Sequence, residues 1–530
     1  MKVRWFVVFL AVLFYSSMAM ALPQDACERL INLKIPNARV TLATIVAAGT
    51  FDGPPAPFTG KDISGFYKIL PAFCRVAVTA TPTVDSQIEL EVWLPAAGWN
   101  GKLQGLGNGG FAGQIDYFSL GYALLRGYVA TATDAGHPGV DAAWALGHPE
   151  KVVDFGHRGI HEMTRVAKAV TQAFYAKPPQ HSFFTGCSDG GREALMEAQR
   201  YPEDYDGILA GAPSNYWTGL LTLAAADTQP LMDAASFIPQ ERIKLIADAV
   251  NAACDAQDGV TDGILNDPRQ CHFDPATLAC KDGVNTDECL TQPQIAALKK
   301  IYDGLRDSHG VRLFPGHLPG AEGGVSGWGF WITGPAPGKS VMAFLARAYF
   351  SDMVYEKADW DLKTFSVDAG FKAAQQKTGD ALDATNPDLK AFRSRGGKLI
   401  LYHGWNDPAI PALNTVNYYS NVIATMGQGQ ADSFVRLYMA PGVQHCVGGP
   451  GADSFVDIGQ DPQHSLYASL EQWVEKGTAP GTVIASKFKG IDRKNAVMTK
   501  PLCAYPLALK YKGSGNPNDA ASFTCVAEKK

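Results

Sequence analysis

The sequence predicts an α/β protein: a mostly parallel sheet with helices on both faces, interrupted by one large insertion. Three observations predict it. Apolar strand-like runs alternate with helix-like runs from residue 88 to 215. That alternation breaks over residues 216–394, which are rich in Gly, Pro, Trp, Asp and Cys. It resumes at Lys398 and runs to Gly477. Alternating strand and helix periods bury a sheet between helical layers, whereas a stretch of roughly 180 residues without that pattern is seldom structureless. A lid or cap over a site is a common reason for such an insertion.

The elements follow in order. IELEVWL (Ile88–Leu94) alternates apolar and charged residues, as a half-buried strand does. KLQGLGNGG and YVATATDAGH come next, from Lys102 and Tyr128. Ile160, Met163, Val166, Val170 and Phe174 form one helical stripe. HSFFTG (His181–Gly186) is a short apolar strand, GREALMEAQRYP is a helix that Pro202 ends, and GILAGAP from Gly207 is another buried strand. After the insertion, KLILYHG (Lys398–Gly404) is a strand, Ala412–Thr425 a helix, VRLYMAPG (Val435–Gly442) a strand, and SLYASLEQWVEKG (Ser465–Gly477) an amphipathic helix. The expected organisation is therefore residues 22–215 and 395–530 as one catalytic domain in two segments, with 216–394 as the lid.

The chain starts MKVRWFVVFLAVLFYSSMAMA. A basic start (Lys2, Arg4), an apolar run of about 11 residues and an Ala-Met-Ala end read as a cleaved leader over 1–21, since a bilayer needs about 20 apolar residues. The mature protein is thus expected to be secreted or periplasmic. The absence of an Asn-x-Ser/Thr sequon favours a bacterial periplasm or medium. Net charge is −6 with no long Lys/Arg run, which argues against nucleic acid as a partner. Ten cysteines, an even number in an exported chain, favour disulfides.

Gly186-Cys187-Ser188-Asp189-Gly190 fits G-x-S-x-G between a strand and a helix, the setting of a nucleophile elbow. The sharp turn needs small neighbours, which Gly186, Gly190 and Gly191 supply. A serine hydroxyl needs a histidine to take its proton and a carboxylate to orient that histidine. In this setting the chain order is Ser, acid, His. Asp407 lies in the loop after KLILYHG, and only His445 and His464 lie beyond it. His445 follows the strand VRLYMAPG, where the base belongs. His464 opens a helix, a capping position, and His403 precedes the acid and supports the strand end. Ser188, Asp407 and His445 are therefore the candidate catalytic residues. Cys187 precedes the serine and Cys446 follows the histidine, so hydrogen-bonded Ser188 and His445 would bring the two sulfurs within bonding range. A peptidase or polyester depolymerase would use the same machinery, and a dead elbow in a non-catalytic, calcium-stabilised binding protein would share the motif.

GCSDGGRE, HGWNDP and QHC together resemble the tannase and feruloyl esterase family, which includes the bacterial mono(hydroxyethyl) terephthalate hydrolases. The resemblance covers nearly the whole mature chain. It implies an α/β-hydrolase fold with a lid domain and hydrolysis of aromatic carboxylic esters (feruloyl, galloyl or terephthaloyl), the substrate being a small ester of plant cell-wall or polyphenol type.

The oxyanion hole needs backbone N–H donors. One is expected from Asp189, the other from GLGNGGFAG (Gly105–Gly113), at Gly109 or Gly110. CDAQDGVTDGILNDPRQC (Cys254–Cys271) crowds Asp255, Asp258 and Asp262 onto a Gly-containing loop, which suits Ca²⁺. The resemblance adds carbonyls at Val260 and Ile264, with Cys254 and Cys271 stapling the loop, and the ion is expected to be structural because the loop lies far in sequence from Ser188, Asp407 and His445. It also suggests the pairs Cys27–Cys74, Cys280–Cys289 and Cys503–Cys525, the last two supported by proximity in sequence as well. For the substrate pocket the candidates are Trp328 and Trp331, beside Phe330, then Arg347 as a partner for a substrate carboxylate or a lid acid, and Ile410 as a wall of the acyl site.

Overall fold

The computed structural model describes residues 24–56, 60–111, 113–281, 286–457, 459–490 and 495–527. The expected leader, 1–21, lies outside them. Among the described residues the chain builds one nine-stranded sheet. Strands β1 (Ala38–Val46), β2 (Phe73–Ala80) and β3 (Ile88–Pro95) form an antiparallel edge, and β3 pairs antiparallel with β5. The rest is parallel: β4 (Lys102–Leu106), helix α1 (Tyr117–Leu125), β5 (Val129–Thr133), α2 (Gly159–Tyr175), β6 (His181–Cys187), α3 (Asp189–Arg200) and β7 (Gly207–Gly211). The chain then leaves the sheet through α4 (Trp217–Leu231), α5 (Gln240–Cys254), α6 (Gln292–Asp303), α7 (Val341–Ala348) and α8 (Val367–Leu382). It returns as β8 (Lys398–Gly404), α9 (Leu413–Met426), β9 (Val435–Ala440) and α10 (Leu466–Lys476). Two hairpins follow, β10–β11 (Val483–Phe488, Ala496–Leu502) and β12–β13 (Leu507–Tyr511, Phe523–Ala527).

Period-two alternation divides the side chains between two cores. Phe184, Leu399 and Leu401 pack with Val166, Val170, Leu195 and Val422 from α2, α3 and α9 on one face. Phe183, Ile400 and Tyr402 pack with Leu120, Leu124, Leu470 and Trp473 from α1 and α10 on the other. Strands β5 and β7 are buried along their whole length, as strands covered on both faces must be. The insertion carries one apolar cluster of its own, around α5, α6 and Trp328, and shares another, around α4, α7 and α8, with Phe111, Phe155 and Ile410 of the flanking segments.

The strand order β1-β2-β3-β5-β4-β6-β7-β8-β9 reverses direction at β4 and β6. The chain goes outward from β4 to β5, crosses back over β4 through α2, and then proceeds the other way. Beyond the carboxyl ends of strands at such a reversal lies the crevice where open α/β sheets bind ligands. Here those ends are Leu106, leading into Gly107–Gly110, and Cys187, leading into Ser188.

The strands and helices expected between residues 88 and 477 are found within one or two residues of their expected bounds. The edge strand β1, its neighbour β2 and the C-terminal hairpins are additions. One detail differs: Ser465, not His464, caps α10, accepting from the Ala468 amide at 3.2 Å, while His464 bonds Asp461 at 2.6 Å.

Candidate active site

Ser188 sits between β6 and α3 with φ 67° and ψ −120°, a left-handed conformation that serine rarely adopts. Holding it costs about 1–3 kcal/mol, so the surroundings must impose it. They do. The Ser188 amide donates to Gly211 O at 3.0 Å, and the Ser188 carbonyl accepts from the Ser214 and Gly191 amides, both at 3.1 Å. Side chains are excluded around the turn: a Cβ on Gly186 would lie 2.4 Å from Gly190 O, and one on Gly191 2.3 Å from Gly211 O. The chain therefore turns sharply at the end of a buried strand and presents the serine at the N-terminus of α3, where the helix dipole favours developing negative charge.

His445 Nδ1 lies 2.8 Å from Asp407 Oδ2. The other carboxylate oxygen of Asp407 accepts the Ala409 and Ile410 amides at 2.8 and 2.9 Å. His403 Nε2 is 3.1 Å from Asp407 Oδ2, and its Nδ1 bonds Thr415 Oγ1 at 2.7 Å, so this histidine braces the acid from the strand side. Burial raises the Asp407 carboxyl, but the neighbouring His445 and His403 outweigh it and hold the group below the usual carboxylate range. Cys187 and Cys446 are disulfide-bonded, with Cα atoms 6.0 Å apart across 259 residues. The other eight cysteines form the four remaining expected pairs: Cys27–Cys74, Cys254–Cys271, Cys280–Cys289 and Cys503–Cys525.

Ser188 and His445 line one cavity of about 640 Å³. Its walls are mostly apolar: Phe111, Val140, Trp331, Val341, Phe344 and Leu345, with Gln114 and Asp116 as polar exceptions. The Trp331 ring stands edge-on to His445, with centroids 5.0 Å apart. Gly107 to Gly110 form the floor. Several amides there are already committed: Gly107 to Thr185 O at 3.0 Å, Asn108 to Glu193 at 2.8 Å and Gly190 to Asn108 O at 2.8 Å. Besides the wall it supplies, the insertion is tied to the loops behind this site through its loop 320–324. Gln444 Nε2 donates to Gly323 O at 2.7 Å, and the Asn406 side chain donates to Gly320 O.

Of the proposed pocket residues, only Trp331, with its neighbour Phe330, lines the cavity. Trp328 is fully buried among Tyr302, His317 and the α5–α6 core. Ile410 is buried in the α4–α7 cluster, and its carbonyl accepts from His403. Arg347 is exposed on α7 and lies outside the cavity wall. Sequence spacing names the aromatic and basic residues of a short helix but not the face turned inward. Phe344 and Leu345, on the same helix as Arg347, had no sequence signal beyond apolarity.

A larger cavity, about 840 Å³, lies between the Cys254–Cys271 loop and the hairpin β12–β13; no serine or histidine lines it. In that loop Asp255 accepts the Gly263 amide at 2.9 Å, Asp258 the Asn266 amide at 3.0 Å, and Asp262 the Ile264 amide at 3.1 Å. Lys500 Nζ lies 2.7 Å from Asp262. Burial pushes the Asp258 carboxyl up to about 6, with the charges of Asp262 and Asp255 adding to the rise. Both polar side-chain atoms of the buried Asn266 are without a partner among the described residues. The donors are all hard oxygens and fit a calcium ion in kind. The carboxylates are turned onto amides and Lys500, and among the described residues no three His, Cys, Asp or Glu side chains converge as a metal centre.

A family model described as "Tannase and feruloyl esterase" matches residues 74–526. An uncharacterized esterase of Xanthomonas campestris pv. campestris is 38% identical, aligned over 94% of this chain and 91% of its own. A protein of Aspergillus clavatus named "Probable feruloyl esterase B" is 33% identical over 95% of this chain and 96% of its own. Among solved structures, feruloyl esterase B from Aspergillus oryzae superposes with a TM-score of 0.86 at 29% identity, covering 95% of this chain and all of that one. The tannin acyl hydrolase from Aspergillus niger shares the fold, with a TM-score of 0.74 at 23% identity over 96% of this chain and 95% of that one.

Proposed function

The chain belongs to the tannase and feruloyl esterase family and is a carboxylic ester hydrolase of α/β-hydrolase fold, and from that premise we propose that it cleaves esters of aromatic carboxylic acids through an acyl-enzyme on Ser188. The observation that carries this reading is a serine on a left-handed turn sharing one cavity with His445, whose Nδ1 the buried Asp407 holds. Asp407 engages Nδ1 of His445 and so leaves Nε2 to take the proton from Ser188 Oγ as it attacks the ester carbonyl. The carbonyl oxygen becomes an oxyanion, held by the amides of Asp189 and of Gly109 or Gly110. As the intermediate collapses, the C–O bond to the alcohol breaks and His445 passes its proton to that oxygen. Water, activated by the same imidazole, then attacks the acyl-enzyme, releases the aromatic acid and restores Ser188. The names of the relatives point to a feruloyl-type acyl group, and the apolar wall of Phe111, Trp331 and Phe344 suits an aromatic ring.

The test is Ser188→Ala assayed on methyl ferulate and methyl gallate. Hydrolysis is expected to vanish while folding is retained, and a fluorophosphonate is expected to label only the native chain. Wild-type turnover by the variant overturns the assignment.

For the insertion loop we propose a structural Ca²⁺ held by Asp255, Asp258 and Asp262, with the carbonyls of Val260 and Ile264. Its support is the crowding of three buried or half-buried carboxylates between two bonded cysteines. The ion would neutralise those charges, and the ring closed by Cys254–Cys271 would keep the loop assembled. Metal analysis is expected to find one calcium per chain, and EDTA to lower the melting temperature. An unchanged melting point with no bound metal refutes it. The proposed location is the periplasm or medium, reached by removal of residues 1–21. The five disulfides support it, and N-terminal sequencing of the mature protein is expected to begin at Leu22.

A further inference from the structure

Glu193 stands on α3 one turn below Asp189, and its side chain is fully buried. A carboxyl group in such a place needs a reason, because an apolar side chain would fill the space without desolvating a polar group. The reason lies in the loop after β4. Glu193 Oε2 accepts the Asn108 amide at 2.8 Å. The Asn108 carbonyl in turn accepts the Gly190 amide at 2.8 Å. One residue of the glycine loop is thus gripped at both its N–H and its C=O by the first two turns of the nucleophile helix. The two backbones touch: a Cβ on Gly107 would lie 2.7 Å from Gly190 Cα and 2.9 Å from Glu193 Oε2, and a Cβ on Gly190 would lie 2.8 Å from Asn108 O.

Asn108 lies past the last paired residue of β4, so the sheet offers its N–H no partner. The next two residues are glycines, which have no side chains to fix their direction. Their amides are useful only when aimed at the point where the oxyanion forms. We propose that Glu193 is a positioning residue for the oxyanion hole, joining the 107–110 loop to α3 so that the Gly109/Gly110 amide and the Asp189 amide converge on one oxygen. This rests on the acyl-enzyme reading above. Burial first, and then the charge of Asp189, push the Glu193 carboxyl well above the usual carboxylate range. A glutamine offers Asn108 the same acceptor oxygen.

The experiment compares Glu193→Leu with Glu193→Gln in the full-length protein. Three quantities are read: kcat and KM on methyl ferulate, affinity for an aryl boronic acid (whose tetrahedral serine adduct places an oxygen in the hole), and affinity for free ferulate. In Glu193→Leu, kcat is expected to fall about 10–100-fold, less than the loss for deleting an oxyanion donor outright, with KM within threefold. Boronate affinity falls in parallel, and ferulate affinity holds. Glu193→Gln is expected to recover at least a third of wild-type kcat. Should the leucine variant fail to accumulate as folded protein, Gly107→Ala carries the test from the loop side, with the same loss of kcat and boronate affinity. The proposal is overturned if Glu193→Leu keeps wild-type kcat, if kcat falls while boronate affinity does not, or if Glu193→Gln falls as far as leucine. A Ser188→Ala enzyme that still turns over would instead sink the acyl-enzyme reading, whatever Glu193 does.

Discussion

Asp116 puts a carboxylate on the wall of the Ser188 cavity, where it also caps α1 by accepting the Phe118 amide at 3.0 Å. Among the described residues no lysine or arginine lines that cavity. An acyl group carrying its own free carboxylate would enter with its charge unpaired, beside one of like sign, and burying an unpaired charge is expensive. The family resemblance left feruloyl, galloyl and terephthaloyl esters open together, and this residue separates them. Methyl ferulate is expected to exceed monomethyl terephthalate at least tenfold in kcat/KM at pH 7; comparable values would show that a cation reaches the ring. The candidate triad could be picked out in the sequence because its chemistry is local. A serine between two glycines at a strand end, an acid after the next-to-last strand and a histidine after the last, each beside a cysteine or in a loop, need no knowledge of facing. Trp328, Ile410 and Arg347 went astray for the opposite reason. Their type was informative, but their direction is set by packing of the insertion, which no spacing rule encodes. Glu193 had a faint signal, an acid placed on the first turns of a helix that must press against the sheet.

At the scale of elements, the loop 320–324 couples the insertion to the loops that carry Asp407 and His445. Glu322, itself buried, accepts the Tyr302 hydroxyl at 2.6 Å and the Gly320 amide at 2.9 Å, while Gly320 and Gly323 receive the side chains of Asn406 and Gln444, the residues just before Asp407 and His445. Burial pushes the Glu322 carboxyl up to about 7, against about 4.3 for an unfolded chain. Between those values the native state keeps a proton that the unfolded state has released. Stability from this group is therefore full below about pH 4.3, falls as pH rises through the window and levels off above about 7. Glu322→Gln is expected to flatten that slope, so the melting temperature of the native chain should drop more between pH 5 and 7.5 than that of the variant. Identical slopes would mean Glu322 does not titrate there. The insertion was legible as an interruption but not as helices. Thirteen of the fifteen residues of α4 are buried, so it shows no one-sided 3.6-residue stripe to distinguish it from an apolar run.

Across the whole molecule, the candidate catalytic groups come from two stretches of chain brought together by a single sheet, with β7 and β8 adjacent although 186 residues separate Gly211 from Lys398. Pairing so distant in sequence forms late and at high entropic expense. The Cys187–Cys446 cross-link encloses the whole of this span and restrains the unfolded chain, by about 5 kcal/mol in the chain-entropy model. Cys187→Ser/Cys446→Ser is expected to lose about 2–5 kcal/mol in urea unfolding, within the measured range for native disulfides. It should also lower kcat more than a far-off pair such as Cys503→Ser/Cys525→Ser does; equal effects would deny the link any part in aligning serine and histidine. The central parallel strands were evident from alternation, while β1, β2 and the terminal hairpins were not. β1 and the hairpin β12–β13 pair antiparallel at edges, where half-exposed side chains blur the apolar pattern.

The Cys187–Cys446 bond has one more consequence. It makes residues 187 to 446 a covalent macrocycle, inside which the Cys254–Cys271 and Cys280–Cys289 rings are nested. A protease that nicks the insertion opens this circle without dividing the molecule. The serine-bearing and histidine-bearing fragments stay one species until a thiol is added, so the exposed part of the chain can be severed while its reacting groups remain joined.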